Sequence, residues 1–245
     1  MPLRRLHRPP VRCRGFTLIE LLTVLTIMGM LIAIFLPGLR GARRNAHRML
    51  CAYHLRGVGR GLDLYAETYN DWYPTAESSC AGTPSAIAPS AGKPSPQNWW
   101  ENNAFLELLD LTPNPQGRSI LTCPADREPD LYVDGSVKGC WVSYGANTSA
   151  FGMRRGRSKR PRHRSQVQFP AKAMGFCDVR SPRNAPHAVG WQGCVVRNFA
   201  FRHNEHCAVV YVDTHVDWIR PEDVPLGNRA WEDPFWGNIP CFDKP

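Results

Sequence analysis

From Leu18 to Leu36 run 19 residues that are apolar except at Glu20, Thr23, Thr26 and Gly29. As a helix, that length covers a hydrocarbon core of ~30 Å. Pro37 and Gly38 interrupt the run, and a proline there removes one backbone bond, so a kink is expected. The helical period then resumes: Leu39, Ala42, Ala46, Met49 and Tyr53 follow three- and four-residue steps, and Val58, Leu62, Tyr65 and Tyr69 form a second stripe displaced by about one position. Arg40, Arg43, Arg44, Arg48 and Arg56 fall mostly off that stripe. The pattern predicts one helix from Phe16 to about Tyr69, on the order of 80 Å long, apolar all round in its first half and amphipathic in its second.

After the helix the period is lost. Residues 76–98 are rich in Ser, Ala, Pro and Gly and read as a loop. Short strand-like runs follow at Trp141 to Tyr144, Ala173 to Phe176, Val195 to Phe201, Ala208 to Val212 and His215 to Ile219, with one further helical stretch near Asn103 to Leu109. The fold class expected is α+β, a long helix whose outer half packs on an antiparallel β-sheet. The expected organisation is a leader at 1–15, a transmembrane part of the helix at 16–37, its amphipathic continuation at 38–75, the loop at 76–98 and an external β-rich domain at 99–245.

Charge sharpens the picture at the amino terminus. The net charge is +9, and Arg4, Arg5, Arg8, Arg12 and Arg14 supply five of the positive charges before residue 16. All five flank the apolar run on one side, so the positive-inside bias keeps that end cytoplasmic and sends the rest across. Nine cysteines without C-x-x-C spacing point to an oxidising compartment and disulfides. Cys123 with Cys140 is the expected local staple, closing a loop through Asp134-Gly135 worth about 3 kcal/mol in the chain-entropy view. Cys177 with Cys194 is a second pair of that kind.

A secretory signal is cut after its apolar region at small residues, and this one ends in Ile34-Phe35-Leu36-Pro37. A plain anchor has no use for Glu20, because an ionised carboxylate deep in lipid costs about 2.5 to 3.5 kcal/mol. The stretch Gly15-Phe16-Thr17-Leu18-Ile19-Glu20-Leu21-Leu22 resembles the cleavage and methylation motif of type IV prepilins and type II secretion pseudopilins. The resemblance implies a prepilin peptidase as partner, cleavage between Gly15 and Phe16, and methylation of the new amino terminus at Phe16. It implies also that Glu20 serves assembly, its carboxylate neutralising the terminal amine of a neighbouring pilin or pseudopilin subunit. The place implied is the inner membrane, spanned once, with a periplasmic C-terminal domain, in a filament after assembly.

Further segments resemble large pilin-like families abundant in planctomycetes and related bacteria. They are Arg43-Arg44, Cys51, Leu55, Gly57, Gly61-Leu62, Tyr65 and Tyr73-Pro74, then Leu121-Thr122-Cys123-Pro124-Ala125-Asp126 and Ser143-Tyr144-Gly145-Ala146-Asn147. His203 and Asp213 are spaced as in the H-x9-D-G element of those proteins, but Thr214 stands where that element has Gly. A two-residue Asp-Gly hairpin wants φ > 0 at its second position, which a β-branched residue resists, so turn type and strand register are open.

No phosphate-binding loop, nucleophile elbow or zinc-protease helix is present, and neither enzymatic activity nor a cofactor is expected. The run Arg154, Arg155, Arg157, Lys159, Arg160, Arg162, His163 and Arg164 is broken by Gly156 and Pro161 and reads as a loop. Its fixed charges can hold phosphates, so the alternative function is an anchored binding module capturing DNA or another anionic polymer. The other reading of this run is a solvated loop. His203, Glu205, His206, Asp213, His215 and Asp217 have metal-ligand composition, yet turn and strand-end hydrogen bonding accounts for them, and no bound transition metal is expected.

Overall fold

The computed structural model describes residues 16–78, 99, 102–111, 118–126, 142–154, 162–180, 188–189, 199–225 and 232–237. The chain forms two compact units, Met1–Arg43 and Arg44–Pro245.

A single helix, α1, runs Leu18–Thr68 with Pro37 inside it, within two residues of the expected bounds. In the first unit every large apolar side chain from Leu18 to Leu36 is exposed. In the second unit α1 buries Cys51, Leu55, Val58, Leu62 and Tyr65, a stripe of alternating four- and three-residue steps. Of the expected stripes the second is largely this one. The first is corrected: Met49 and Tyr53 remain 76% and 70% exposed. They lie about 200° round the helix from Cys51, on the side away from the core.

The sheet is the expected antiparallel one. Strands β2 (Tyr144–Asn147), β4 (Met174–Asp178), β6 (Cys207–Tyr211) and β7 (Val216–Ile219) pair antiparallel in that order, and β5 (Ala188–Val189) adds a short parallel edge beside β2. Two corrections concern its surroundings. Glu77–Ser78 (β1), inside the expected loop, pairs in parallel with Met153–Arg154 (β3). Of Val195 to Phe201, the described residues make only an isolated bridge, Phe199 to Val179. The short helices α2 (Asn103–Leu108) and α3 (Thr148–Phe151) are capped by the side chains of Asn102 and Asn147.

Both faces of the sheet are covered. Tyr144, Ala146, Phe176, Ala208 and Val210 pack with the α1 stripe, while Cys177, Cys207 and Val209 pack with Phe199, Phe235 and Trp236. A register shift between Met174 and Phe176 turns Met174 to the second face. Period-two alternation then places Asp178 with Phe176 on the helix side.

The β6–β7 hairpin resolves the open question at Thr214. Tyr211 N–H donates to His215 O at 2.9 Å and Thr214 N–H to Tyr211 O at 2.9 Å. The loop is therefore three residues, Val212-Asp213-Thr214, whose third position is left-handed, and Thr214 takes φ 74° there. Gly59 faces this turn: a Cβ on it would lie 2.8 Å from Val210 Cγ2 and 3.4 Å from Thr214 Cα. Only a residue without Cβ lets the hairpin sit this close to α1.

Candidate functional site

The amino-terminal segment is built around Thr17 and Glu20. The Thr17 hydroxyl and backbone N–H donate to Glu20 Oε2 at 2.7 and 2.8 Å, and Glu20 N–H donates to Thr17 Oγ1 at 3.3 Å. This is a reciprocal capping box on the first turn of α1, for which Thr-x-x-Glu is the sequence signal. The other polar side chains in the apolar run satisfy themselves on the helix backbone: Thr23 donates to Glu20 O, and Thr26 to Leu22 O and Thr23 O. Glu20 is left as the single ionisable residue between Phe16 and Leu39. Phe16 is 77% exposed. Gly15 lies outside the described residues.

A second constellation lies wholly in the Arg44–Pro245 unit. Cys51 from α1, Cys123 from the turn after Leu121, Asp178 at the end of β4 and His203 from the loop before β6 are all buried. One ligand atom from each lies within 4.8 Å of the other three. Cys123 Sγ is 3.3 Å from His203 Nε2, which is 3.8 Å from Asp178 Oδ2. Arg202 donates to Asp178 Oδ1, to Val179 O at 2.9 Å, and pairs with Asp126 Oδ2 at 2.9 Å. The Tyr144 hydroxyl stands 3.5 Å from Cys51 Sγ.

Electrostatically Asp178, Cys123 and His203 are pushed toward their uncharged forms. Burial raises the Asp178 carboxyl well above the carboxylate range despite Arg202. A hydrogen bond with Cys51, then burial, pushes the Cys123 thiol up. Burial, with Arg202, Arg48 and His47 adding to it, brings His203 down to about 4. Desolvation disfavours the charged form of each group, and at Asp178 it outweighs the attraction of Arg202.

The six-residue hairpin group does not assemble as one cluster. His203 turns into the buried constellation. Asp213 and His215 remain exposed at the turn, where Asp213 Oδ1 accepts from His215 N–H at 3.2 Å and lies 2.5 Å from His215 Nδ1. His206 Nδ1 meets Asn204 O at 2.7 Å on the surface.

The basic run is tied down at its carboxyl end. Arg164 pairs with Asp63 of α1 at 3.2 Å, His163 packs edge-on against Trp72, and Arg162 is half-buried. Arg154 lies in β3, and Arg155, Arg157, Lys159 and Arg160 lie outside the described residues. Of the expected staple, Cys123 is described, its thiol facing Cys51 and His203, and Cys140 lies outside the described residues. The turn carrying Cys123 directs its sulfur into the core, where Cys51 and His203 surround it. Cys177 is buried in β4, and Cys194 lies outside the described residues.

Comparison with known proteins identifies relatives at this point. The prokaryotic N-terminal methylation motif matches residues 11–36. The chain is 37% identical over 124 residues to type II secretion system core protein G of Klebsiella pneumoniae, covering 51% of this chain and 85% of that protein. The protein of the same name from Pseudomonas aeruginosa is 28% identical over 123 residues, covering 50% and 82%. That from Vibrio cholerae is 29% identical over 137 residues, covering 52% and 90%. No solved structure matches.

Proposed function

Since this chain belongs to the family of type II secretion system core protein G, we propose that it is cut between Gly15 and Phe16 by a prepilin peptidase, methylated on Phe16, and assembled with like subunits through its N-terminal helix. The observation that carries this reading is Glu20, the one ionisable side chain between Phe16 and Leu39, in the exposed apolar stretch of α1. Before processing its carboxylate is held by Thr17. Cleavage places a charged amine one residue before Thr17, so the same acid can exchange its cap for the amine of a neighbouring helix. Each charge then offsets the cost of holding the other in lipid.

The proposed place is the inner membrane, with the five leader arginines on the cytoplasmic side and the Arg44–Pro245 unit outside. The function is structural rather than catalytic. Capture of anionic polymers through the basic run is the weaker reading, because Arg164 is engaged with Asp63.

Intact-mass and amino-terminal analysis of protein from its native membrane tests the processing. Loss of residues 1–15 and a methyl group on Phe16 are expected; retention of Met1, or a cut beyond Leu36, would sink the reading. Shearing cells should release the mature chain in a filament fraction.

A further inference from the structure

We propose that Cys51, Cys123, Asp178 and His203 form a tetrahedral zinc site that ties α1 to the sheet of the external domain. Two thiols, an imidazole and a carboxylate are zinc's own ligand types, and soft sulfur with nitrogen in four-fold array favours zinc over calcium or magnesium. Zinc bonds of ~2.3 Å to sulfur and ~2.0–2.1 Å to nitrogen and oxygen put neighbouring ligand atoms about 3.3–3.8 Å apart. The spacings of 3.3 Å between Cys123 Sγ and His203 Nε2 and 3.8 Å between His203 Nε2 and Asp178 Oδ2 lie within about 0.5 Å of the ~3.6 Å and ~3.3 Å that such bonds set for these pairs. All four atoms lie within 4.8 Å of one another, so the set closes round an ion with small movements.

An independent observation points the same way. Asp178 is fully buried, and among the described residues its Oδ2 has no hydrogen-bond partner, although such an atom ordinarily finds one. Arg202 holds the other oxygen and so turns Oδ2 toward the two sulfurs and the imidazole. Ligating carboxylates are commonly oriented by a hydrogen bond of this sort. Charge also balances. Two thiolates and a carboxylate round a divalent ion leave one net negative charge, and Arg202 lies against it. Arg44 and Arg48 line the adjoining cavity with His47, Ala125, Arg202, His203 and Asn204. That cavity opens a route to His203.

A disulfide between Cys51 and Cys123 is the competing use of these sulfurs. It would leave Asp178 Oδ2 without a partner and the imidazole beside an uncharged bridge. Zinc satisfies all four groups. Binding would be coupled to folding, since the ligands come from four separated stretches of chain and meet only in the native state.

The mature full-length chain, purified in detergent without chelator, decides the matter independently of filament assembly. Elemental analysis is expected to give about one zinc per chain, and X-ray absorption two sulfurs near ~2.3 Å with two lighter ligands near ~2.0–2.1 Å. Asp178→Asn and Cys123→Ser should lose the metal, while His206→Ala, a surface histidine beside the site, should keep it. If the site variants fail to fold, chelator-stripped wild type reloaded with cobalt should show thiolate-to-cobalt charge-transfer absorption. Absence of zinc from fresh protein together with no cobalt band would overturn the proposal. So would non-reducing peptide mapping that joins Cys51 to Cys123.

Discussion

Two stretches of α1 obey different rules. Between Leu18 and Leu36 the helix is apolar on every side and its large side chains stay exposed, whereas between Cys51 and Glu67 it buries one stripe and exposes Arg56, Arg60 and Glu67 around it. The second pattern is satisfied by the chain itself, through Phe176, Val210 and the other side chains on the facing sheet. The first meets no such surface among the described residues, and its length and composition suit a lipid hydrocarbon core. The stretches also treat polarity differently. In the apolar stretch each hydroxyl returns to its own helix backbone and Glu20 returns to Thr17. In the domain, polar groups bond across the fold, as His54 Nδ1 does to Thr122 O at 3.0 Å.

The sharpest way to break this contrast is to remove the same side chain from each stretch. Leu62→Ala should cost the external domain about 2–5 kcal/mol, the usual range for a buried leucine, read as a lowered melting temperature of the mature protein in detergent. Leu25→Ala should change that melting by less than ~0.5 kcal/mol. Equal losses would show that the apolar stretch is part of the domain's core. Glu20→Ala comes next and acts on assembly alone. The variant should still be cut after Gly15, yet lose a drive of about 2.5 to 3.5 kcal/mol, the cost of an unpaired carboxylate in lipid. Full recovery of the variant in a sheared filament fraction would remove Glu20 from the assembly reading.

Periodicity shows that α1 exists and roughly where it ends, because long regular patterns leave little room for another answer. It did not show which face is buried. Leu39, Ala42, Ala46, Met49 and Tyr53 satisfy helical spacing as well as Cys51, Leu55, Val58 and Leu62 do, and only the sheet selects between them. Of the residues quoted for the pilin-like resemblance, Cys51, Leu55, Gly61, Leu62 and Tyr65 lie on that face and are buried, and Gly57 is half-buried. The strands were legible in β4, β6 and β7, whereas the run Trp141 to Tyr144 meets β2 only at Tyr144. The buried constellation was not legible. Cys51, Cys123, Asp178 and His203 are spread over four stretches of chain, and no local spacing announces them. His203 was grouped with its neighbours in sequence, whereas the fold turns it away from them. The capping box at Thr17 and Glu20 is legible as Thr-x-x-Glu.

Glycines extend the comparison at smaller amplitude. Gly29 has nothing within 4 Å of the position a Cβ would take, whereas at Gly59 that atom would meet Val210 Cγ2 at 2.8 Å. Gly59→Ala should therefore destabilise by about 1–3 kcal/mol through overpacking, less a helix-propensity gain of up to ~1 kcal/mol. Gly29→Ala should leave the domain's melting unchanged. If Gly59→Ala were stabilising, the approach of the hairpin to α1 would have to be looser than the structure has it.

Thr214→Gly is expected to have the smallest effect, and the opposite sign. Thr214 sits at the third position of the β6–β7 loop with φ 74°, where a β-branched side chain crowds its own backbone. The left-handed region costs an L-residue roughly 1–2 kcal/mol, and glycine almost nothing. Glycine is also looser in the unfolded chain, which returns part of that gain. The net expectation is stabilisation by about 0.5–1 kcal/mol, with the hairpin register from Cys207–Ile219 to Val210–Val216 unchanged. A two-residue Asp-Gly turn in the variant would instead shift β7 by one residue and carry Trp218 to the opposite face of the sheet. Its stacking under Arg48, now 4.4 Å from the ring centroid, would then be lost. Tryptophan fluorescence and the melting temperature of Thr214→Gly separate the two outcomes. A raised melting temperature with an unchanged spectrum supports the three-residue loop, and a lowered one with a red-shifted spectrum refutes it.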